Sequence, residues 1–208
     1  MEKGYLETDL TYTSDGNLLD EYGRFVMMEW EKDWMQESAK VICKNGGDIL
    51  NIGFGMGLID SFIQQHNPKS HWIIEPHPIV FDKIKKDGWL NKENVNVLFS
   101  KWQDVIDDLP QFDGIYIDTW KDNGFYDLFL PKLHKILKPN GIFSFWNRDT
   151  NLNSLIEIKN ILKSDFDINY VEINLSNIPK QQYWSKSNKN CIIPIITHST
   201  RNIIKTII

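Results

Sequence analysis

Cysteine and long apolar runs are scarce in this sequence. The chain of 208 residues has two cysteines, Cys43 and Cys191, which form no C-x-x-C pair, so neither a disulfide framework nor a zinc site is expected. The five histidines lack metal-ligand spacing, and we expect no metal. No apolar run reaches the length of a membrane span, and the amino terminus lacks the apolar segment of a signal peptide. These absences predict a cytoplasmic protein that contacts no membrane.

Positive charge is also in short supply, with 23 lysines and arginines against 28 acidic residues and a net charge of −5. The balance argues against a nucleic-acid-binding protein that depends on a basic surface field, and it leaves room for a cationic substrate. Aromatic residues, in contrast, make up 12% of the chain and include eight tryptophans. Disordered chains are poor in aromatics, so the sequence predicts a folded protein, and its length suits one domain with a small appendage.

Apolar segments of strand length alternate with helical segments from residue 48 onward. Strands are predicted at 48–52, 71–75, 95–99, 113–118 and 141–146, and helices at 29–44, 58–66, 79–87, 125–137 and 151–163. This alternation is typical of an α/β sandwich around a parallel sheet. Two further strands, at 168–175 and 191–197, have no helix between them, which favours an antiparallel pair at one edge of a seven-stranded sheet. The polar, turn-rich residues 1–28 are expected to form an arm over the functional site of the domain at 29–208.

The clearest motif, Leu50-Asn-Ile-Gly-Phe-Gly-Met-Gly57, lies at a predicted strand-to-helix junction. Glycines at such a junction allow a tight turn and the close approach of a ligand to the helix amino terminus. Glu75 ends the next predicted strand, 22 residues after Gly53, where an acid commonly accepts hydrogen bonds from a ribose. A dinucleotide-binding G-x-G-x-x-G motif would need glycine in place of Leu58, which disfavours a nicotinamide- or flavin-dependent oxidoreductase.

Two other segments bear on the same site. Trp102 and Gln103 follow the third predicted strand, where an aromatic ring can cover a purine and a polar neighbour can bind its edge. The alternative is that Trp102 packs in the core and Asp104 caps a helix. The segment Leu137-Lys-Pro-Asn-Gly141 is typical of a helix carboxyl terminus that turns into the next strand.

Together these residues resemble the class I S-adenosylmethionine-dependent methyltransferases, which have a Rossmann-like α/β sandwich. Four blocks are similar to guanidinoacetate N-methyltransferase: Val26–Glu31, Asn51–Gly57, His71–Glu75 and Phe112–Thr119. Four others are similar to the catalytic domain of a related family, the fungal delta-arginine N-methyltransferases: Leu18–Gly23, Lys86–Leu90, Lys101–Asp104 and Phe143–Asn147. The similarity extends from about Tyr5 to Thr197, nearly the whole chain.

The resemblance implies S-adenosylmethionine as the cofactor and a guanidino compound as the substrate. It assigns cofactor binding to Tyr5, Met27, Met35, Gly53, Phe54, Gly55, Met56, Gly57, Leu58, Ile59, Glu75, Pro76, His77, Trp102 and Gln103. Glu31 and Asp118 match the two carboxylates that hold the guanidino group, and Trp120 and Asn147 are expected to contact the substrate as well.

The chemistry of a guanidinium explains why two carboxylates are needed. It stays protonated at neutral pH and is then a poor nucleophile, but its planar fork matches a carboxylate. Two carboxylates can orient one nitrogen and accept the proton that it loses as the new bond forms. Asp118 ends the fourth predicted strand, where α/β sites open, so it is the expected base, with Glu31 as the second carboxylate. Four tryptophans are expected to surround the cofactor and the cation: Trp30, Trp102, Trp120 and Trp146.

Two positions depart from the resemblance. Asn51 stands where many methyltransferases have an acid, and Asn147-Arg-Asp149 replaces the segment whose backbone amides hold the substrate carboxylate in the guanidinoacetate enzyme. The first expected substrate is therefore arginine, free or in a peptide. The alternatives are a small guanidino compound such as guanidinoacetate, and a non-catalytic protein that binds the cofactor and acts as an interaction module. The sequence does not decide between a monomer and a dimer.

Overall fold

The structure, a computed structural model, describes residues 3–120, 123–147, 152–175 and 190–199. Near its amino terminus, three short strands form an antiparallel sheet: β1 (Leu10–Tyr12), β2 (Leu18–Asp20) and β3 (Phe25–Met27). In the turn between β1 and β2, Gly16 has a φ of 81°, which favours glycine. The sequence pattern of this segment predicted turns but no strands, because three-residue strands are too short to show a periodic pattern.

Seven strands form the main sheet: β4 (Asp48–Ile52), β5 (Ser70–Ile74), β6 (Val95–Leu98), β7 (Phe112–Ile117), β8 (Leu137–Phe145), β9 (Phe166–Asn174) and β10 (Asn190–His198). They are ordered β6-β5-β4-β7-β8-β10-β9. Strands β4 to β8 pair in parallel, whereas β10 is antiparallel to both β8 and β9. The predicted α/β sandwich, with a mostly parallel seven-stranded sheet and a carboxyl-terminal antiparallel pair, is therefore confirmed.

The described residues contain six α-helices: α1 (Lys32–Ile42), α2 (Leu58–Gln65), α3 (Pro78–Lys86), α4 (Trp102–Val105), α5 (Leu133–Ile136) and α6 (Asn153–Leu162). Short 3₁₀ segments occur at Tyr5–Glu7, Glu29–Glu31, Trp89–Asn91, Ile106–Asp108 and Leu130–Lys132. The predicted helices at 58–66 and 79–87 agree with α2 and α3 to within one residue. The one at 29–44 begins as the 3₁₀ turn at Glu29–Glu31 and continues as α1. Residue 151, the predicted start of the last helix, lies outside the described residues.

Two predictions were wrong in detail between β7 and β8. The segment predicted as one helix at 125–137 is a π-helical turn at Phe125–Phe129, a 3₁₀ turn and the short α5, since Pro131 has no N–H to continue a regular helix. The expected stop at Leu137–Gly141 belongs to β8 instead. Its extra residues form a bulge, because Leu137 pairs with Phe112 but Ile142 pairs with Gly114.

Apolar side chains cover both faces of the main sheet, as is typical of parallel sheets. Leu50, Ile115 and Phe143 belong to the buried cluster that includes α5 and α6, and Ile49 and Ile73 to the cluster that includes α1, α2 and α3. Both cysteines are buried. Across the described residues, the helices are too short or too polar to cross a membrane, and no group of three His, Cys, Asp or Glu side chains is arranged to hold a metal ion.

Candidate active site

A cavity of about 410 Å³ lies at the carboxyl ends of β4, β5 and β7. The chain order of the strands reverses between β4 and β7, and such a reversal opens a crevice in which α/β proteins bind ligands. Twelve of the residues that sequence analysis assigned to the site line this cavity: Tyr5, Met27, Gly53, Phe54, Gly55, Ile59, Glu75, Pro76, Trp102, Gln103, Asp118 and Trp120. The structure therefore gathers residues from widely separated segments around one cavity.

The glycine loop follows β4 and needs glycine for two reasons. Gly53, Gly55 and Gly57 all have positive φ angles, of 92°, 55° and 72°. Side chains at all three positions would also collide with neighbours. A Cβ on Gly53 would meet the backbone oxygen of Asp118, one on Gly55 would lie 2.8 Å from the sulfur of Met27, and one on Gly57 would lie 2.5 Å from the ring of Phe54. The loop is therefore a bare backbone surface, packed between β7 and the amino-terminal segment.

Glu75 follows β5 and is buried against the glycine loop. Its Oε2 accepts a hydrogen bond from the backbone N–H of Phe54 at 2.9 Å, and its Oε1 accepts one from the N–H of His77 at 2.8 Å. The hydroxyl of Tyr5 lies 3.4 Å from the same Oε1. Burial raises the pKa of Glu75 to about 7, although the backbone hydrogen bonds oppose the shift. The geometry holds the carboxylate rigidly at the cavity wall.

Asp118 immediately follows β7 and lines the same cavity. Burial raises its pKa to about 7. Glu31 comes from the 3₁₀ turn before α1 and is 3% exposed. Its pKa is raised to about 8, first by burial and then by the negative charge of Asp118. No lysine or arginine within the described ranges forms an ion pair with either carboxylate, so neither buried acid is neutralised by a basic side chain there.

Glu31 is held by two donors from different parts of the chain. Its Oε2 accepts the backbone N–H of Met28 at 2.9 Å, and its Oε1 accepts the indole N–H of Trp146 at 2.9 Å. Trp146 in turn stacks on Trp34, with ring centroids 5.6 Å apart. The nearby Glu29 is exposed, so the two acids of the same turn have different environments. This arrangement fixes the direction of the Glu31 carboxylate.

The tryptophans have different roles. Trp102 and Trp120 line the cavity, and Trp120 packs edge-on against Tyr5 with ring centroids 5.9 Å apart. Trp146 does not line it, and its indole N–H instead orients Glu31. Trp30 is also absent from the cavity wall, and its indole N–H points to the sulfur of Met28 at 3.2 Å. Of the four tryptophans expected to surround the ligands, two therefore line the cavity, and the indole N–H groups of the other two contact Met28 and Glu31.

The amino-terminal segment contacts the glycine loop directly. The Tyr12 hydroxyl donates to the backbone oxygen of Gly55 at 2.9 Å, and the backbone N–H of Met56 donates to the sulfur of Met27 at 3.3 Å. A third contact joins the His77 ring to the backbone oxygen of Thr8 at 3.0 Å. The loop that supports Glu75 and the cavity is therefore in contact with residues of β1 and β3.

Seven predicted residues do not line the cavity: Glu31, Met35, Met56, Gly57, Leu58, His77 and Asn147. Met35 is fully buried in the same cluster as Met27, and Gly57 and Leu58 begin α2. His77 caps α3 by accepting the N–H of Ile79 at 3.2 Å. Asn147 is buried and accepts the Ser154 hydroxyl at 2.8 Å. Arg148, Asp149 and Trp184 lie outside the described residues.

Nine cavity residues were not predicted: Gly4, Leu6, Glu7, Val26, Ile52, Ile74, Lys101, Thr119 and Asn123. Ile52 and Ile74 end β4 and β5, so the strand-end rule that identified Glu75 also applies to them. No such signal marks Gly4, Leu6 and Glu7. The 3₁₀ turn at Tyr5–Glu7 brings them to the site, and it is far in the sequence from the strands that form the rest of the cavity.

The sequence is similar to a known protein family over nearly its whole length. The family profile for guanidinoacetate N-methyltransferase matches residues 2–197. Protein arginine N-methyltransferase 2 of Candida glabrata is 43% identical over 157 residues, which cover 69% of this chain and 37% of that protein. The protein of the same name from Kluyveromyces lactis is 36% identical over 209 residues, which cover 90% of this chain and 50% of that protein. The chain spans about half or less of the length of these curated relatives.

Solved structures show the same fold at low sequence identity. Spermidine synthase from Thermotoga maritima superposes with a TM-score of 0.65 at 14% identity, over 95% of this chain and 71% of that one. TYW2 of M. jannaschii, in complex with AdoMet, gives a TM-score of 0.58 at 14% identity, over 95% of this chain and 88% of that one. At this level of identity the likeness concerns the architecture alone.

Proposed function

The chain belongs to the guanidinoacetate N-methyltransferase family, and from that premise we propose that it transfers a methyl group from S-adenosylmethionine to a guanidino nitrogen of arginine. The observation that carries the proposal is a pair of buried acids, Asp118 at the cavity wall and Glu31 close enough for the charge of Asp118 to raise its pKa. Burial raises the pKa of both acids, so ionising the two together is unfavourable unless a cation is present. A guanidinium is a permanent cation whose fork matches carboxylate oxygens.

The residues of the cavity fit S-adenosylmethionine, which supplies an electrophilic methyl group on its sulfonium. The glycine loop leaves its backbone bare, because a Cβ at Gly53 or Gly55 would collide with a neighbour. Glu75 keeps acceptor lone pairs beside Phe54, where they can bind ribose hydroxyls. Trp102 and Gln103 line the cavity and would hold the adenine. The cofactor-binding assignments of these residues are part of the proposal.

Asp118 and Glu31 have different tasks in this proposal. Asp118 lies at the cavity wall and takes the proton that the guanidinium loses as its nitrogen gains the methyl group. Glu31, held by Met28 and Trp146, accepts hydrogen bonds from the guanidinium and fixes the orientation of the reacting nitrogen. Both carboxylates must be ionised to bind the cation, and the positive charge of the substrate lowers the pKa values that burial has raised.

The printed names of the relatives favour arginine as the substrate, and the description of the family profile favours guanidinoacetate as the second candidate. The non-catalytic alternative is disfavoured, because a protein that only bound the cofactor would not need two buried acids whose charges oppose each other's ionisation. We further propose that residues 1–28 act as an arm over the site of the domain at 29–208, supported by the contacts of Tyr12 and Met27 with the glycine loop. A cytoplasmic location is supported by the low cysteine content.

One experiment tests the proposal and separates the substrates. The purified protein is incubated with methyl-labelled S-adenosylmethionine and, in parallel, with free arginine, an arginine-containing peptide or guanidinoacetate, and products are identified by mass spectrometry. We expect methylation of free or peptidyl arginine and little of guanidinoacetate. The matched controls are Glu31→Gln, which should lose the activity, and Glu29→Gln, which should keep it, since Glu29 is exposed. Absence of methylation on all three compounds would reject the proposed reaction.

A further inference from the structure

A group of buried polar side chains, separate from Glu31 and Asp118, lies behind the glycine loop. Asn51 on β4, Asp60 on α2 and His71 on β5 are each fully buried. The three residues therefore join the three elements that surround the cofactor loop. Burying a carboxylate costs free energy unless it is fully hydrogen-bonded. Apolar side chains of similar volume would often stabilise a core as well as or better than a group of this kind.

His71 lies between two polar side chains. The side-chain amide of Gln64 lies 3.0 Å from Nδ1 of His71, and Nε2 of the same ring lies 3.1 Å from Oδ1 of Asp60 without the geometry of a hydrogen bond. The amide nitrogen of Asn51 donates to Asp60 at 2.9 and 3.0 Å. Both oxygens of Asp60 accept from this nitrogen, so Asn51 presents its NH₂ group to Asp60.

The same NH₂ group of Asn51 also donates to the backbone oxygen of Gly53 at 2.9 Å. The other end of that peptide unit is the N–H of Phe54, which donates to Glu75 at 2.9 Å. One peptide unit of the glycine loop is thus held at its oxygen by Asn51 and at its N–H by the predicted ribose-binding acid. Hydrogen bonds in series at low dielectric also strengthen one another.

We propose that Asn51 is a positioning residue for cofactor binding, which acts through the hydrogen bond that its amide donates to the backbone oxygen of Gly53. Asn51 fixes the plane of the Gly53–Phe54 peptide, and that peptide fixes the carboxylate of Glu75. The position where many methyltransferases have an acid thus carries an amide here, and the acid comes from α2. This inference rests on the proposed function, because it assumes that Glu75 binds the ribose of S-adenosylmethionine.

The test compares two variants that differ only at residue 51. In Asp60→Asn, Asn51 can still donate to Gly53. In the double variant Asn51→Asp with Asp60→Asn, the donor and the acceptor exchange places. A hydrogen bond between β4 and α2 is therefore kept, but the backbone oxygen of Gly53 loses its donor. Affinity for S-adenosylhomocysteine is measured by calorimetry, and the free energy of unfolding is measured with denaturant. The control is Ser70→Ala. It removes a hydrogen bond between β5 and β4, which Ser70 donates to Asp48 at 2.9 Å, and leaves the glycine loop untouched.

We expect Asp60→Asn to bind S-adenosylhomocysteine within about threefold of the wild type, and the double variant to bind at least about tenfold more weakly, since a buried carbonyl is left without its donor. Ser70→Ala should be less stable with unchanged affinity. If the double variant unfolds more easily than Asp60→Asn, Asn51→Ala, which adds no charge, serves in its place with the same expected loss. Equal affinity of the folded variants would overturn the inference. Failure of the wild type to bind S-adenosylhomocysteine would instead overturn the proposed function.

Discussion

Trp146 donates its indole N–H to Glu31 at 2.9 Å, although 115 residues separate them in the sequence. The bond joins the end of the main sheet to the turn before α1, and it is the side-chain contact that sets the direction of the Glu31 carboxylate. A hydrogen bond to a charged group is worth about 1.5–3 kcal/mol, so under the proposed role of Glu31 we expect Trp146 to contribute to substrate orientation without lining the cavity.

Replacing Trp146 by phenylalanine should therefore impair substrate handling and leave cofactor binding intact. Phe keeps an aromatic ring against Trp34 but removes the donor to Glu31. We expect kcat/KM for the guanidino substrate to fall about 10- to 100-fold. Steady-state kinetics measures the fall, and calorimetry with S-adenosylhomocysteine should give an affinity equal to the wild type. A wild-type kcat/KM would show that Met28 alone positions Glu31.

The Asp118→Asn variant should keep the cofactor but lose turnover. Asparagine has nearly the same shape and cannot take the proton, and general-base catalysis contributes about 10²- to 10⁴-fold. We expect the rate constant of methyl transfer, measured in single-turnover experiments with labelled cofactor, to fall by at least about 100-fold. Asp127→Asn is the matched control, because Asp127 is an exposed acid on the π-helical turn. Turnover near the wild-type rate would remove Asp118 from the role of base.

The Glu75→Ala variant should lose affinity for the cofactor and some stability. Its carboxylate holds the N–H groups of Phe54 and His77, so the substitution leaves both without their acceptor in addition to removing the ribose contact. We expect affinity for S-adenosylhomocysteine to fall at least about tenfold, with a lower midpoint of denaturant unfolding. An unchanged dissociation constant in the folded variant would contradict the assignment.

The free energy of unfolding of the ligand-free protein should fall as pH rises from about 5 to about 8. The pKa of Glu31 is raised from 4.5 to about 8, so the folded protein holds a proton that the unfolded chain releases. A carboxyl group whose pKa is higher in the folded protein than in the unfolded chain adds to the free energy of unfolding. This contribution is complete below the pKa of the unfolded chain and is lost as the pH rises through the pKa of the folded protein. For Glu31 the loss is on the order of a few kcal/mol.

Denaturant unfolding at a series of pH values measures this slope, and the Glu31→Gln variant should flatten it over the same window. Asp118 and Glu75, whose pKa values are both raised to about 7, contribute in the same direction and leave a residual slope. Equal slopes for the wild type and Glu31→Gln would show that Glu31 is ionised in the folded, ligand-free protein.

Much of the fold was predictable because its signals are local. Strand β4 was predicted with its observed bounds, since a five-residue apolar run is followed at once by the glycine loop. The antiparallel β9–β10 pair was predicted because the sequence between the two strand segments shows no helical pattern. The helix at 125–137 was wrong because apolar spacing alone does not show where Pro131 breaks the hydrogen-bond pattern. The three strands of the amino-terminal sheet were missed because each is too short.

The sequence by itself determined the α/β class, the glycine loop and the positions of Glu75 and Asp118, because each depends on short-range periodicity or on a strand end. Only the tertiary structure decided the environments of the acids. Burial raises the pKa values of Glu31 and Asp118, the charge of Asp118 raises that of Glu31 further, and Trp146 donates a hydrogen bond to Glu31 from the end of β8. These effects depend on desolvation and on contacts between distant segments, which no local pattern of residues specifies.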